Sequence, residues 1–131
     1  MITLKNSVQS LVNKAKKKIN NIDIKDALKL HSNKQFLFID IRDIREIQKS
    51  GRILGAKHVP RGMLEFWIDP NSPYHKEFFN DDLNFIFYCA SDWRSALATE
   101  TANKIGLLNA SHLVGGFNNW LEHKGPIEEP R

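Results

Sequence analysis

The stretch "FIFYCASDWRSALAT", residues 85–99, decides the fold class, because an apolar run passes within a few residues into a helical pattern. Residues 84–88 are almost entirely apolar, which is typical of a strand buried on both faces of a parallel sheet. Cys89, the only cysteine of the chain, follows this strand. Residues 95–106 predict a helix that ends at Gly106. Five residues are expected on its inward face: Leu97, Ala98, Thr101, Ala102 and Ile105.

Strands alternate with helices along the rest of the chain. Further strands are predicted at "FLFID", "AKHVP" and "ASHLV", which occupy residues 36–40, 56–60 and 110–114. Helices are predicted at "IKDALKLH", "IREIQKSG" and "FNNWLEHKG", with Phe117, Trp120 and Leu121 of the last facing inward. Such alternation through short connections predicts an α/β fold, with a parallel sheet covered by helices on both faces. Ligand sites in these sheets lie at the carboxyl ends of the strands, where Cys89 is placed.

The chain is expected to form a single domain, residues 1–131, that begins with a lysine-rich N-terminal helix over residues 1–20. This segment carries five lysines and no acidic residue, whereas the whole chain has a formal net charge of +4. A lysine-rich segment is able to attract an acidic partner, but the simpler interpretation is a solvated helix face. Because no aromatic residue lies between the lysines, we expect no binding to nucleic acid.

Hydropathy and cysteine content indicate the compartment. No stretch approaches the roughly 20 apolar residues that a membrane-spanning helix needs, and the N-terminus has no apolar core typical of a signal peptide. A single cysteine forms no internal disulfide bond. We therefore expect a cytoplasmic protein with a free thiol and no membrane contact.

The turn after Cys89 has the composition of an anion site. Backbone N–H groups of a tight turn converge with those of the following helix, and such donors favour a thiolate. Arg94 adds a positive charge at the end of the turn. A buried cysteine is often only a small apolar side chain, but Ser91, Asp92 and Ser95 are too polar for an interior packing site.

Several ordered motifs between residues 36 and 128 resemble those of the single-domain rhodaneses, a family of sulfurtransferases. The turn "CASDWRS" resembles C-x-x-G-x-R-S, and "FIDIRD" resembles the D-V-R-E that ends an earlier strand. "GRILGAKHVPRG" is similar to G-H-I-P-G-A-x-x-I-P, and "LVGGFNNWLEHKGPIE" is similar to the closing L-x-G-G-x-x-x-W-x-x-x-G-x-P. The resemblance implies a rhodanese-like α/β fold, a five-stranded parallel sheet flanked by helices on both faces.

The resemblance also implies a reaction. Cys89 would take the outer sulfur of a small anionic donor, thiosulfate or 3-mercaptopyruvate, as a persulfide. It would pass this sulfur to a thiol or cyanide-like acceptor, either a small molecule or a protein. This is covalent catalysis in two half-reactions. The persulfide would be held by the turn residues Ala90, Ser91, Asp92, Trp93, Arg94 and Ser95.

No cofactor and no metal are implied by the resemblance. The histidines, at positions 31, 58, 75, 112 and 123, show no ligand-like spacing and are expected to be structural or solvated. Asp40 and Arg42 are expected to pair and fix loops rather than take part in the chemistry.

The turn departs from the family pattern at Asp92, which replaces a glycine. Aspartate tolerates a left-handed backbone better than most residues, so the fold should survive. A carboxylate beside an anion site is expected to disfavour the thiolate and to repel thiosulfate, which predicts weak thiosulfate:cyanide activity. Arg61 would bind an anionic donor if it faced the site, or else form a surface ion pair. Trp93 would form an apolar wall beside the sulfur or contact a partner.

Two other functions stay open. Rhodanese-like domains also serve as binding or sulfur-carrier modules without significant thiosulfate turnover. A small phosphatase would use a related cysteine loop, but the related phosphatases have five residues between cysteine and arginine. Here Cys89 and Arg94 enclose four, which favours a site for a single sulfur atom.

Overall fold

The computed structural model describes residues 1–130 of the chain. Residues 1–130 form six α-helices and seven strands. The helices are α1 (Val8–Lys18), α2 (Ile24–Leu30), α3 (Ile44–Ser50), α4 (Leu64–Ile68), α5 (Trp93–Lys104) and α6 (Gly116–Glu122). The strands are β1 (Asn20–Ile22), β2 (Phe36–Asp40), β3 (Arg52–Ile53), β4 (Lys57–His58), β5 (Asn84–Tyr88), β6 (Ala110–Leu113) and β7 (Ile127–Glu128). Short 3₁₀ turns occupy Arg61–Met63 and Glu77–Asn80.

Five of the strands form one parallel sheet in the order β1-β6-β5-β2-β4. This confirms the predicted α/β fold with a five-stranded parallel sheet. β5, the strand that ends before Cys89, lies at the centre, so the cysteine is at the middle of the carboxyl edge. Strands β3 and β7 pair antiparallel in a separate two-stranded ribbon.

Strand residues alternate between two apolar layers, as the two-residue period of a strand requires. On one face, Phe85 and Phe87 pack with α4 and α5, and on the other, Ile86 packs with α2 and α6. The second layer contains the fully buried Trp120. The sheet is therefore covered on both faces, which explains the continuous apolar sequence of its central strands.

Two helix faces differ from the predicted ones. In α5, the buried residues are Ser95, Ala96, Ala98, Thr99 and Ala102, whereas Ile105 is exposed. Ala98 and Ala102 are buried as predicted, but the apolar pattern did not identify the small residues Ser95, Ala96 and Thr99 that complete the buried face. Leu121 of α6 is also exposed, although Phe117 and Trp120 point inward as predicted.

The lysine-rich segment forms a shorter helix than predicted, since α1 begins at Val8, after the cap Ser7, and ends at Lys18. α1 packs against α5, and its Val12 and Ala15 are buried. Ser7 caps its N-terminus, and Lys16, Lys17 and Lys18 lie in its last turn, where cations interact favourably with the helix dipole. None of the helices in residues 1–130 is both long enough and apolar enough to cross a bilayer.

Candidate active site

Cys89 lies between the end of β5 and the start of α5, and the residue is only 1% exposed. The helix begins at Trp93, two residues earlier than predicted, so Arg94 belongs to its first turn. Ser95 supplies two contacts to the sulfur. Its backbone N–H donates to Sγ at 3.4 Å, and its Oγ is 3.2 Å from Sγ. A sulfur beside the N-terminus of a 12-residue helix is in an environment that favours negative charge.

The turn rests on the backbone that follows β6. The N–H of Phe117 donates to the carbonyl of Cys89 at 2.8 Å, and the N–H of Asn118 donates to that of Ala90 at 3.0 Å. Gly116 makes this contact possible. A Cβ on Gly116 would lie 2.5 Å from the carbonyl oxygens of both Cys89 and Ser91, and its φ is +58°. The glycine pair of the closing motif therefore fixes the position of the cysteine turn.

Arg94 is held at the rim of the turn by Glu46. Its two terminal nitrogens donate to the two carboxylate oxygens at 2.8 and 3.0 Å, a bidentate pair between α5 and α3. The hydrogen bond from Arg94 is the main cause that lowers the pKa of Glu46, and the same bond is the main cause that raises the pKa of Arg94. Both side chains keep access to solvent, at 44% for Arg94 and 34% for Glu46. The guanidinium is therefore fixed but still reachable by an anion.

The backbone of Asp92 differs from the expected left-handed conformation. Its φ and ψ are −131° and −31°, so this position does not need the freedom of glycine. Its carboxylate accepts a hydrogen bond from the N–H of Gly115 at 2.8 Å. The same oxygen lies 3.4 Å from Nε2 of His112. The charge of Asp92 is thus directed to the β6 side of the turn.

His112 is the site residue that the sequence did not reveal. It is fully buried in β6, and its Nδ1 is 3.0 Å from Oγ of Ser95. Burial is the main cause that lowers the pKa of His112 below 6.5, although the charge of Asp92 opposes this effect. The interpretation of His112 as a merely structural or solvated residue is thus incomplete. Its signal was a histidine near the carboxyl end of a predicted strand, shortly before the glycine pair of the closing motif.

Asp40 and Arg42 form the buried ion pair that was predicted as a structural element. Nε and one terminal nitrogen of Arg42 contact both carboxylate oxygens at 2.7 to 3.1 Å, and neither residue is more than 2% exposed. Arg42 also donates to the carbonyl of Gly51 and stacks on the ring of Phe117 at 4.4 Å. Burial opposes the charge, but the hydrogen bond and charge of Asp40 outweigh it and raise the pKa of Arg42.

Arg61 and Trp93 have less direct relations to the sulfur. The guanidinium of Arg61 donates to Glu65 at 2.9 Å and to Thr101 at 3.3 Å, which is two turns along α5 from Ser95. Its described contacts are those of an ion pair on α4, and its role in donor binding stays a prediction. Trp93 is 45% exposed on the first turn of α5, so nearly half of its surface is open to a partner or substrate.

Comparison with known proteins agrees with this geometry. The profile of the rhodanese-like domain family matches residues 23–123. A mouse thiosulfate sulfurtransferase/rhodanese-like domain-containing protein 3 is 27% identical over 100 residues, 72% of this chain and 64% of that protein. YrkF, a putative sulfur carrier protein of Bacillus subtilis, is 29% identical over 92 residues, 70% of this chain and 45% of that protein. The chain therefore spans less than two thirds of these two relatives.

A solved structure is similar over nearly the whole chain. RPA3614 from Rhodopseudomonas palustris CGA009, a protein of unknown function described as a possible tyrosine phosphatase, is 43% identical. The two structures superpose with a TM-score of 0.94 and cover 98% of each chain. With a family profile that matches most of its length, a cysteine at the end of the central strand and a glycine pair that holds the cysteine turn, this chain belongs to the rhodanese-like domain family.

Proposed function

We propose that the protein is a sulfurtransferase in which Cys89 carries the sulfur as a persulfide. The observation that carries this proposal is the position of Sγ. It lies at the centre of the carboxyl edge of the sheet, and both the N–H and the hydroxyl of Ser95 are directed to it. Donors of this kind stabilise the negative charge of a thiolate and of a persulfide.

The proposed reaction has two steps, which this geometry supports. The Cys89 thiolate attacks the outer sulfur of thiosulfate, a new S–S bond forms, and the bond from that sulfur to the sulfite sulfur breaks. The electron pair leaves with sulfite. An acceptor nucleophile then attacks the outer sulfur, and Cys89 departs as the thiolate. Arg94, on the first turn of α5, supplies the positive charge for an anionic donor.

The four residues between Cys89 and Arg94 support sulfur as the transferred group. A phosphoryl group needs donors for three oxygens around its phosphorus, whereas a persulfide presents one terminal sulfur. The near-complete burial of Cys89 also favours a donor that presents a single exposed sulfur atom.

A sulfur-carrier role is the second candidate. One relative is described as a putative sulfur carrier protein, and the exposed Trp93 beside the site provides a contact for a protein that supplies or receives sulfur. Such a carrier would form the same persulfide but would not release it to small acceptors.

Steady-state kinetics distinguish these functions. With thiosulfate as donor and cyanide or a small thiol as acceptor, we expect ping-pong kinetics that Cys89→Ser abolishes. Persulfide formation without turnover would favour the carrier. Hydrolysis of p-nitrophenyl phosphate that depends on Cys89, with no sulfur transfer, would favour a phosphatase and contradict the proposal.

Glu46→Gln is expected to raise kcat/KM for thiosulfate by about two- to fivefold at low ionic strength, because removal of one partly exposed negative charge near the anion is worth up to about 1 kcal/mol. The gain should shrink as salt screens the charge. Glu100→Gln removes a carboxylate that pairs with Lys18 and Lys104 and should have no such effect. An unchanged or lower kcat/KM for Glu46→Gln would show that the fixed position of Arg94 matters more than its free charge.

A further inference from the structure

Four side chains form a continuous chain of polar contacts behind the sulfur. Sγ of Cys89 is 3.2 Å from Oγ of Ser95, and that Oγ is 3.0 Å from Nδ1 of His112. Nε2 of His112 is 3.4 Å from Oδ1 of Asp92. Cys89, Ser95 and His112 are each no more than 1% exposed, so water does not compete with these contacts.

Nε2 of His112 is a buried polar atom without a hydrogen bond of good geometry in the described part of the chain. The carboxylate of Asp92 at 3.4 Å has the charge and reach to become its acceptor after a small adjustment. A buried histidine that faces a carboxylate on one nitrogen and a hydroxyl on the other has a defined tautomer. Nε2 carries the hydrogen toward Asp92, and Nδ1 is left as an acceptor for Ser95.

We infer that His112 is a positioning residue that acts through Ser95 and takes up the thiol proton of Cys89, and that Asp92 orients its ring. The S–H bond of Cys89 breaks and its proton passes to Oγ of Ser95, while the hydroxyl hydrogen of Ser95 passes to Nδ1 of His112. The electron pair stays on sulfur. The products are a Cys89 thiolate and a His112 imidazolium next to the Asp92 carboxylate, so charge and protons balance.

This inference gives a function to the residue that departs most from the family pattern. Asp92 stands where the motif has glycine, and its carboxylate points to the N–H of Gly115 and to His112. A carboxylate at this place stabilises the imidazolium, as the carboxylate does in a triad of nucleophile, base and carboxylate. On this inference Asp92 favours the thiolate, which is opposite to the effect expected from repulsion alone.

Charged groups from several elements act on Cys89 and His112 and contribute to the pH profile of alkylation. They are Asp92 before α5, Arg94 on α5, Glu46 on α3 and Lys16 on α1. Burial is the main cause that opposes protonation of His112, and Lys16 adds to it, whereas Asp92 favours protonation. Arg94 favours the thiolate.

Asp92→Asn is the sharpest test, since asparagine keeps the shape and the acceptor for Gly115 but removes the charge. The measurement is the rate of Cys89 alkylation by iodoacetamide as a function of pH. We expect the rate near pH 7 to fall by about threefold or more, and the midpoint of the profile to rise by about half a unit. Repulsion alone predicts the reverse, a faster rate and a lower midpoint. An equal or faster rate in Asp92→Asn overturns the inference.

Ser95→Ala and His112→Asn interrupt the same chain at its other members and should slow alkylation in the same direction. In the His112→Asn background, Asp92→Asn should no longer slow the reaction, because the imidazolium that it stabilised is gone. Asp82→Asn removes an exposed carboxylate just before β5, at the opposite end of that strand, and serves as the control for a change in net charge. Circular dichroism and thermal unfolding identify any variant that fails to fold.

This inference rests on the proposed function only in taking Cys89 as the reacting sulfur, and alkylation requires no sulfur donor. If the wild type transfers no sulfur but Asp92→Asn shifts the alkylation profile as expected, the proposed function is contradicted and the proton transfer from Cys89 to His112 is still supported. Normal sulfur transfer, with alkylation profiles that overlap for the wild type and Asp92→Asn, would contradict the role of His112 and Asp92 and leave the proposed function intact.

Discussion

Arg42→Ala is expected to lower the free energy of unfolding by about 3–5 kcal/mol, since it leaves a buried carboxylate without its partner. Asp40 is fully buried and receives three contacts from this guanidinium within 3.1 Å. The substitution also removes the hydrogen bond to the carbonyl of Gly51 and the contact with the ring of Phe117. Denaturant unfolding, monitored by circular dichroism, measures the loss.

The chain contains a matched control for this substitution. Arg45 pairs with Asp43 at the same two-residue separation, but its side chain is 84% exposed. Arg45→Ala should therefore leave the free energy of unfolding nearly unchanged, because solvent screens this exposed pair. If the two substitutions lower the free energy of unfolding by the same amount, burial of the Asp40–Arg42 pair does not determine its contribution to stability.

Gly116→Ala is expected to slow persulfide formation at Cys89 by at least about tenfold, because displacement of reacting groups by about 1 Å has effects of this size. The new Cβ would lie 2.5 Å from two carbonyl oxygens of the turn and 2.9 Å from the carbonyl carbon of Ala90. These are backbone atoms, so the turn itself must move. The rate of sulfur uptake from thiosulfate and the rate of alkylation by iodoacetamide both report this displacement.

Gly55→Ala is the control for this substitution, because it introduces backbone strain without a steric clash. Gly55 has a φ of +81°, but a Cβ placed there meets nothing within 4 Å. We expect this variant to lose about 1–2 kcal/mol of stability and to keep the reactivity of Cys89. Equal reactivity of Gly116→Ala and the wild type would show that the glycine pair does not fix the cysteine turn.

The fold was predictable where apolar runs and helix caps carry the information. The sequence indicated β2, β5 and β6 correctly because buried parallel strands are continuous apolar segments. The patterns at residues 24–31 and 44–51 also predicted α2 and α3, and the structure shows that Asp23 and Asp43 cap their N-termini. Strands β1, β3 and β7 have only two or three residues each, and their pairing depends on partners distant in the chain. Local patterns therefore did not reveal them.

The sequence predicted the cysteine turn of the candidate site but not the residues that hold this turn in place. The motif around Cys89 lies in one continuous segment, whereas the partners of that turn come from elsewhere. Glu46 reaches Arg94 across 48 positions, and His112 reaches Ser95 across 17. Only the parallel order of β5 and β6 brings His112 behind the turn. The backbone of Asp92 was also misjudged, because the conformation that glycine permits in a motif is not always the one that the fold uses.

The central claim is that Cys89 carries sulfur, and the intact mass of the protein after incubation with a sulfur donor tests it most directly. With thiosulfate, or with 3-mercaptopyruvate, the wild type is predicted to gain the mass of one sulfur atom, which an added acceptor thiol removes. Cys89→Ser should gain nothing. The account is contradicted if the wild type takes up no sulfur from either donor, or if Cys89→Ser gains it equally.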